Sequence, residues 1–92
     1  MARFLIEVPH EDNRKACALA VKILLSSGSH YLTNADYGCL DGEHKAWIII
    51  EADSKQEARL IIPPVYRQAV KVVKLNKFSL KDIDEILEQH QE

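Results

Sequence analysis

Residues 28–50, GSHYLTNADYGCLDGEHKAWIII, hold many of the side chains in this chain that are suited to chemistry. They include two of the four histidines, one of the two cysteines and the only tryptophan. Imidazole, thiolate and carboxylate groups together suit a transition metal such as zinc, nickel or copper. The candidate ligands, one of which comes from earlier in the chain, are His10, Asp36, Cys39 and His44. Their spacing matches no established metal signature, so a solvated hairpin end is the competing interpretation.

A second candidate site centres on Glu7, which shares a strand face with apolar residues. Burial of a carboxyl group raises its pKa and favours the protonated form, which can exchange a proton with a substrate. His30 is a candidate catalytic companion, and the predicted pocket-lining residues are Trp47, Asn34 and Tyr66. The simpler interpretation pairs Glu7 with Arg3 or with a lysine near the edge of the sheet.

The spacing of apolar residues predicts the elements that would position these groups. Alternation with period two indicates strands, and recurrence at i, i+3, i+4 and i+7 indicates helices. Strands are predicted over 3–9, 30–36, 45–52 and 69–78, and helices over 11–27, 55–62 and 79–92. Ser54 followed by Glu57, and Ser79 followed by Asp82, are capping sequences that start the second and third helices.

The predicted order is β-α-β-β-α-β followed by a C-terminal helix, within a single domain of residues 1–92. This order is that of the ferredoxin-like α+β arrangement, with an antiparallel sheet in the order 4-1-3-2 and two helices on one face. In that sheet the end of the first strand, the end of the second and the start of the third share one edge. The candidate metal ligands, together with Tyr37, are therefore expected to gather there.

The face of the sheet that the two helices leave open is unusually apolar. It would carry Leu5, Trp47, Ile49, Val73 and Leu75 beside Glu7, whereas an open sheet face in water is mostly polar. Either the C-terminal helix covers this face in its own chain, or two copies pack face to face. A twofold homodimer is the favoured expectation, because it is the commonest assembly of this kind.

The element order, the chain length and the apolar second face resemble the dimeric α/β-barrel superfamily. Within it, RFLIEV at residues 3–8 and the polar hairpin resemble small uncharacterised and nickel-binding members. The resemblance implies a homodimer with a cavity between the sheets. Its members include cofactor-free monooxygenases, muconolactone isomerases and ligand- or metal-binding proteins, so the fold alone does not assign a function.

Composition excludes several classes of protein. A net charge of −2 provides no general attraction for nucleic acid, and the third strand lacks the aromatic motif of RNA-recognition modules. No apolar run suits a membrane span or a signal peptide, so a cytoplasmic location and reduced thiols are expected. The leading prediction is a small homodimer that binds a small molecule or a metal ion. The alternatives are a cofactor-independent monooxygenase or isomerase, and a protein-interaction module.

Overall fold

The computed structural model describes residues 1–90, and it contains one four-stranded antiparallel sheet. The strands are β1 (Ala2–Pro9), β2 (Asp36–Tyr37), β3 (Lys45–Ala52) and β4 (Lys71–Leu75). The helices are α1 (Arg14–Leu25), α2 (His30–Thr33), α3 (Lys55–Leu60), α4 (Pro64–Arg67) and α5 (Leu80–Gln89). The strand order β2-β3-β1-β4 is the predicted order counted from the other edge. The prediction of an α+β class is therefore confirmed.

The two central strands, β1 and β3, form the longest pairing in the sheet. Their register runs without interruption from Ala2 opposite Ala52 to Pro9 opposite Lys45. Alternate residues of both strands point towards the helices, as the period-two pattern predicted, and these residues form the core. The largest fully buried side chains are Phe4, Ile6, Val8, Leu24, Leu32, Ile48, Ile50 and Ile62.

The prediction of a strand over 30–36 is wrong for most of its length. His30–Thr33 form the short helix α2, and only Asp36–Tyr37 join the sheet as β2. The side chain of Ser29 accepts a hydrogen bond from the backbone N–H of Leu32, which caps the helix. Leu32 is buried in the core, so tertiary packing outweighs the β-propensity of this segment.

The first helix begins later than its acidic residues suggested. Asn13 is the N-cap of α1, because its side-chain oxygen accepts a hydrogen bond of 2.7 Å from the N–H of Ala16. Glu11 and Asp12 therefore precede the helix instead of forming its first turn. The consequence is that Asp12 is available to contact residues at the end of the sheet.

Two further elements are shorter than predicted. Helix α3 ends at Leu60, and β4 covers only Lys71–Leu75 of the predicted strand 69–78. Ser54 caps α3 as expected. Ser79 and Asp82 form the complete reciprocal capping box at α5. The predicted helix 79–92 includes two residues outside the described part of the chain.

The open face of the sheet carries one apolar row between two rows that contain charges. Leu5 pairs with Ile49 on one side and with Val73 on the other, and Ile49 is 55% exposed. The flanking rows contain Arg3 opposite Glu51, and Glu7 opposite Lys71. The predicted apolar residues therefore lie on the open face, in a row with charged residues on both sides.

Helix α5 does not cover that face in its own chain. All of its described residues are exposed, including the apolar Leu80, Ile83, Ile86 and Leu87. The chain is elongated, with a radius of gyration of 16.6 Å against about 12 Å for a compact domain of this length. Within residues 1–90, no helix has both the length and the apolar character needed to cross a membrane.

Two neighbouring leucines in α1 provide a matched test of this packing. Leu24 is fully buried and Leu25 is 52% exposed. We expect Leu24→Ala to lower the free energy of unfolding by about 2–5 kcal/mol, because it leaves a cavity in the core. Leu25→Ala should change it by less than about 0.5 kcal/mol. Urea denaturation followed by circular dichroism measures both values, and equal losses would contradict this assignment of the core.

Candidate metal site

The two histidines of the candidate site are brought together by the pairing of β1 with β3. His10 follows the last residue of β1, and His44 precedes the first residue of β3. The N–H of His10 donates a hydrogen bond of 3.1 Å to the carbonyl oxygen of His44, which extends the ladder by one position. The two rings meet edge to face, with their centroids 5.9 Å apart.

Cys39 reaches the same place through the connection between β2 and β3. It begins one turn of 3-10 helix, Cys39–Asp41, that ends at Gly42 with a φ of 83°. This left-handed conformation favours glycine. The carbonyl oxygen of Gly38 accepts hydrogen bonds from the N–H groups of Asp41 and Glu43, which holds the turn closed.

His10, Cys39 and His44 form a compact group of metal-ligating types. Each offers one ligand atom, and the three atoms lie within 4.8 Å of one another. The closest contact is 3.1 Å, between Nε2 of His10 and Sγ of Cys39. All three residues are half-buried, so the cluster lies at the end of the sheet with limited access to solvent.

The second nitrogen of each ring indicates how the histidines are oriented. Nε2 of His44 donates to Oδ1 of Asp12 at 2.8 Å. Nδ1 of His44 and Nδ1 of His10 are buried and have no hydrogen-bond partner within residues 1–90. A carboxylate on the outer nitrogen is the usual second contact of a metal-binding histidine, since it fixes the ring and increases its basicity. Asp12 supplies this contact to His44.

Burial shifts the pKa values of the two groups in closest contact. Burial, followed by the adjacent Cys17 thiol, raises the pKa of Cys39 from 9.0 to about 11. Burial, followed by the charge of His44, lowers the pKa of His10. At neutral pH the metal-free pair is therefore a thiol beside a neutral imidazole, and a metal ion would displace the thiol proton.

A cavity of about 420 Å³ adjoins the cluster and lies against the start of α1. Its lining includes Cys39 and His44 from the cluster, and Cys17 and Arg14 from α1. The sequence analysis did not include Cys17 or Asp12 in the site. The signal that identifies them is the short connection from β1 to α1, which places the start of the helix beside the end of the strand.

A second cavity, of about 340 Å³, lies on the open face of the sheet. Three predicted site residues line it together, namely His30, Asn34 and Trp47. Its other lining residues are Leu5, Tyr31, Asp36 and Ile49. His30 and Asn34 reach it from α2 and its C-terminal cap.

Glu7 does not line that cavity. Its Oε1 atom accepts a hydrogen bond of 3.2 Å from the indole N–H of Trp47, and it lies 3.8 Å from Nζ of Lys45. The interpretation of Glu7 as a residue paired with a lysine near the sheet edge thus agrees with the structure. Both contacts are made by the same oxygen atom, Oε1.

The structure separates the remaining predicted site residues. Asp36 lies on the open face opposite Trp47, away from the histidines with which it was grouped. Tyr37, the next residue of β2, points the other way. Burial raises its pKa, and the nearby Cys17 and Cys39 contribute to that shift. Tyr66 lies in α4 and packs against the core, so it does not line the cavity on the open face.

Comparison with known proteins gave no relatives. No family model matches the chain, and neither a curated protein nor a solved structure is significantly similar to it.

The turn that carries Cys39 depends on a close contact at Gly38. A Cβ atom at this position would lie 2.8 Å from two ring atoms of Trp47 and 2.9 Å from Cβ of Glu43. We expect Gly38→Ala to lower the free energy of unfolding by about 1–3 kcal/mol through overpacking. The loss should be smaller in a Trp47→Phe background, because the clashing ring atoms are then absent. Chemical denaturation of the four proteins measures this coupling, and equal losses in both backgrounds would contradict the contact.

Proposed function

We propose that this protein binds a divalent transition-metal ion, zinc or nickel being the leading candidates, through His10, Cys39 and His44. The observation that supports the proposal is the clustering of three ligand atoms within 4.8 Å, from three separate segments of the chain. Two imidazole nitrogens and one thiolate form a ligand set of intermediate softness, which suits these ions better than magnesium or calcium.

The spacing of the ligand atoms is close to what coordination requires. In a tetrahedral zinc site, bonds of about 2.0–2.3 Å place neighbouring ligand atoms about 3.3–3.8 Å apart. The His10–Cys39 contact of 3.1 Å is slightly shorter, and the widest separation, at most 4.8 Å, needs a contraction of about 1 Å. Side-chain rotation of half-buried residues is sufficient for such a change. The buried and unpartnered Nδ1 atom of His44 would gain a partner.

Three protein ligands leave one position of a tetrahedral ion free. Closed structural sites use four protein ligands, whereas three ligands with an open position are typical of sites that exchange water or substrate. The cavity of about 420 Å³ beside Cys39 and His44 provides the room for such an occupant. The proposed site is therefore one that binds a small ligand at the metal or releases the metal itself.

Metal titration tests this proposal directly. We expect reduced protein to bind one Co²⁺ or Zn²⁺ ion per chain, with a thiolate-to-cobalt charge-transfer band. His10→Ala, His44→Ala and Cys39→Ser should each weaken binding at least about 100-fold, since loss of an outer partner alone costs up to that much. His30→Ala is the matched control, because His30 lies outside the cluster. Binding that persists in the triple variant would contradict the proposal.

Binding should also depend on pH in a defined direction. Imidazole nitrogens and thiolates bind metals only when deprotonated, so protons compete with the ion. Affinity is expected to fall steeply below about pH 6, where imidazoles become protonated. Isothermal titration calorimetry at several pH values measures the effect, and an affinity that is constant between pH 5 and 7 would exclude histidine ligands.

We further propose that the protein is a homodimer in which α5 of each copy covers the open sheet face of the other. The accessible surface is 6809 Å², whereas a compact monomer of this mass exposes about 5,400 Å². The excess is about 1,400 Å² per chain, and a stable interface needs about 800 Å² per partner. Pairing would thus bring the exposed surface into the normal range.

Charge also favours a second copy as the partner of α5. The helix carries Asp82, Asp84, Glu85 and Glu88 against a single lysine, Lys81. The edge strand β4 carries Lys71 on the open face, opposite Glu7, and Lys77 follows the strand. An acidic amphipathic helix and a basic edge beside the apolar row of Ile49, Leu5 and Val73 are complementary surfaces. A twofold pair uses both surfaces twice, because each copy offers one of each.

A single substitution in α5 tests the dimer. Leu87 and Leu60 are 57% and 58% exposed, so Leu60→Asp is a matched control for Leu87→Asp. We expect wild type and Leu60→Asp to be dimers by light scattering and native mass spectrometry. Leu87→Asp should shift strongly towards monomer without unfolding. A monomeric wild-type protein at micromolar concentration would contradict the proposal.

The proposal also includes the fold of the chain and its location in the cell. We assign the chain to the ferredoxin-like arrangement, and the strand order and the two central strands support this assignment. Its second strand is shortened to two residues, because α2 occupies the preceding segment. A reducing compartment such as the cytoplasm suits a site that needs a free thiol at Cys39.

A further inference from the structure

Cys17 is a second free thiol beside the proposed metal site. It lies in the first turns of α1 and lines the same cavity as Cys39, and its thiol contributes to the raised pKa of Cys39. It is not a member of the group formed by His10, Cys39 and His44. Cys17 is therefore adjacent to one metal ligand without being part of the compact ligand set.

We propose that Cys17 and Cys39 are a redox pair whose disulfide removes Cys39 from the metal-binding set. The disulfide itself depends only on the position of the two thiols in the lining of one cavity. The release of metal on oxidation rests on the proposed function. In the reduced state, Cys39 is free to bind the metal ion together with the two imidazoles. In the oxidised state, Cys39 is bonded to Cys17, and only the two imidazoles remain as ligands.

The oxidant that fits is a low-molecular-weight disulfide of the glutathione class. The Cys17 sulfur, as thiolate, attacks one sulfur of the oxidant, forming a mixed disulfide and releasing the first small thiol. The Cys39 thiol then transfers its proton to Nε2 of His10, which lies 3.1 Å from its sulfur. The Cys39 sulfur attacks the Cys17 sulfur, and the second small thiol leaves with that proton. Two protein thiols are oxidised by two electrons, and one small disulfide is reduced to two thiols.

The same geometry predicts that metal and oxidant oppose each other. With a metal ion on Cys39, its sulfur lone pair is shared with the ion, and the second step is slowed. With the disulfide formed, only His10 and His44 remain of the ligand set, and two imidazoles hold a divalent ion much more weakly than two imidazoles and a thiolate.

Oxidised glutathione is the probe for this proposal. We expect reduced, metal-free wild type to lose about 2 Da in intact mass and to retain no free thiol after denaturation, because two hydrogens are removed. Neither single variant can form the bond: Cys39→Ser should stop at a mixed disulfide on Cys17, heavier by one glutathionyl group, whereas Cys17→Ser lacks the attacking thiol and should remain largely unmodified. The zinc-loaded protein should react at least about 10-fold more slowly and should release zinc as the disulfide forms, measured with a chromogenic chelator.

The outcomes separate the two proposals. A wild-type protein that keeps two free thiols, or that forms only intermolecular disulfides, overturns the redox pair. A disulfide that forms while zinc stays bound with unchanged affinity overturns the coupling. If reduced protein binds no zinc but the intramolecular disulfide forms, the proposed metal function fails and the redox pair is supported. Restoration of zinc binding by dithiothreitol supports both.

Discussion

The antiparallel pairing of β1 with β3 is the interaction on which the rest of this structure depends. Its unbroken register over eight pairs buries alternate residues of both strands and makes them the centre of the core. The same register continues one step further and places His10 opposite His44. A slip of one residue would exchange the two faces of a strand, exposing Ile48 and Ile50 and burying Glu51. The stability of the core and the geometry of the proposed site therefore both depend on this register.

Within residues 1–90, the open face of the sheet and helix α5 each lack a packing partner. Helix α5 is well capped and has one apolar side, but a helix of 10 residues gains little stability in water without packing. The apolar row on the sheet lacks a cover in the single chain. In the proposed homodimer each surface would cover the other, and their opposite charges would favour that pairing. Assembly and helix formation would then be coupled, because the helix gains its packing from the partner.

The sequence predicts the sheet better than it predicts the segment that completes the sites. RFLIEVP alternates with period two and KAWIIIEA is rich in β-forming residues, and the faces that these strands present are as predicted. HYLTNAD contains β-forming residues, yet Ser29 caps a helical turn and Leu32 enters the core. Tertiary packing therefore outweighs the local β-propensity of this segment. Asp36 was grouped with the histidines because the sequence shows its position along the chain but not which face of the sheet its side chain occupies. Cys17 was not placed at the site, since the sequence does not show which loop lies beside a helix.

The two-residue length of β2 has a consequence for solubility. Strand β3 pairs with β2 only through Ala46 and Trp47, so the outer edge of the following isoleucine run has no strand beside it in the described part of the chain. A long apolar strand edge is a template for pairing with other chains. Helix α2 packs beside β3 at this point, and its buried Leu32 ties it to the core. Helix α2 therefore covers part of this strand edge, and its local unfolding would expose the isoleucine run to pairing with other chains.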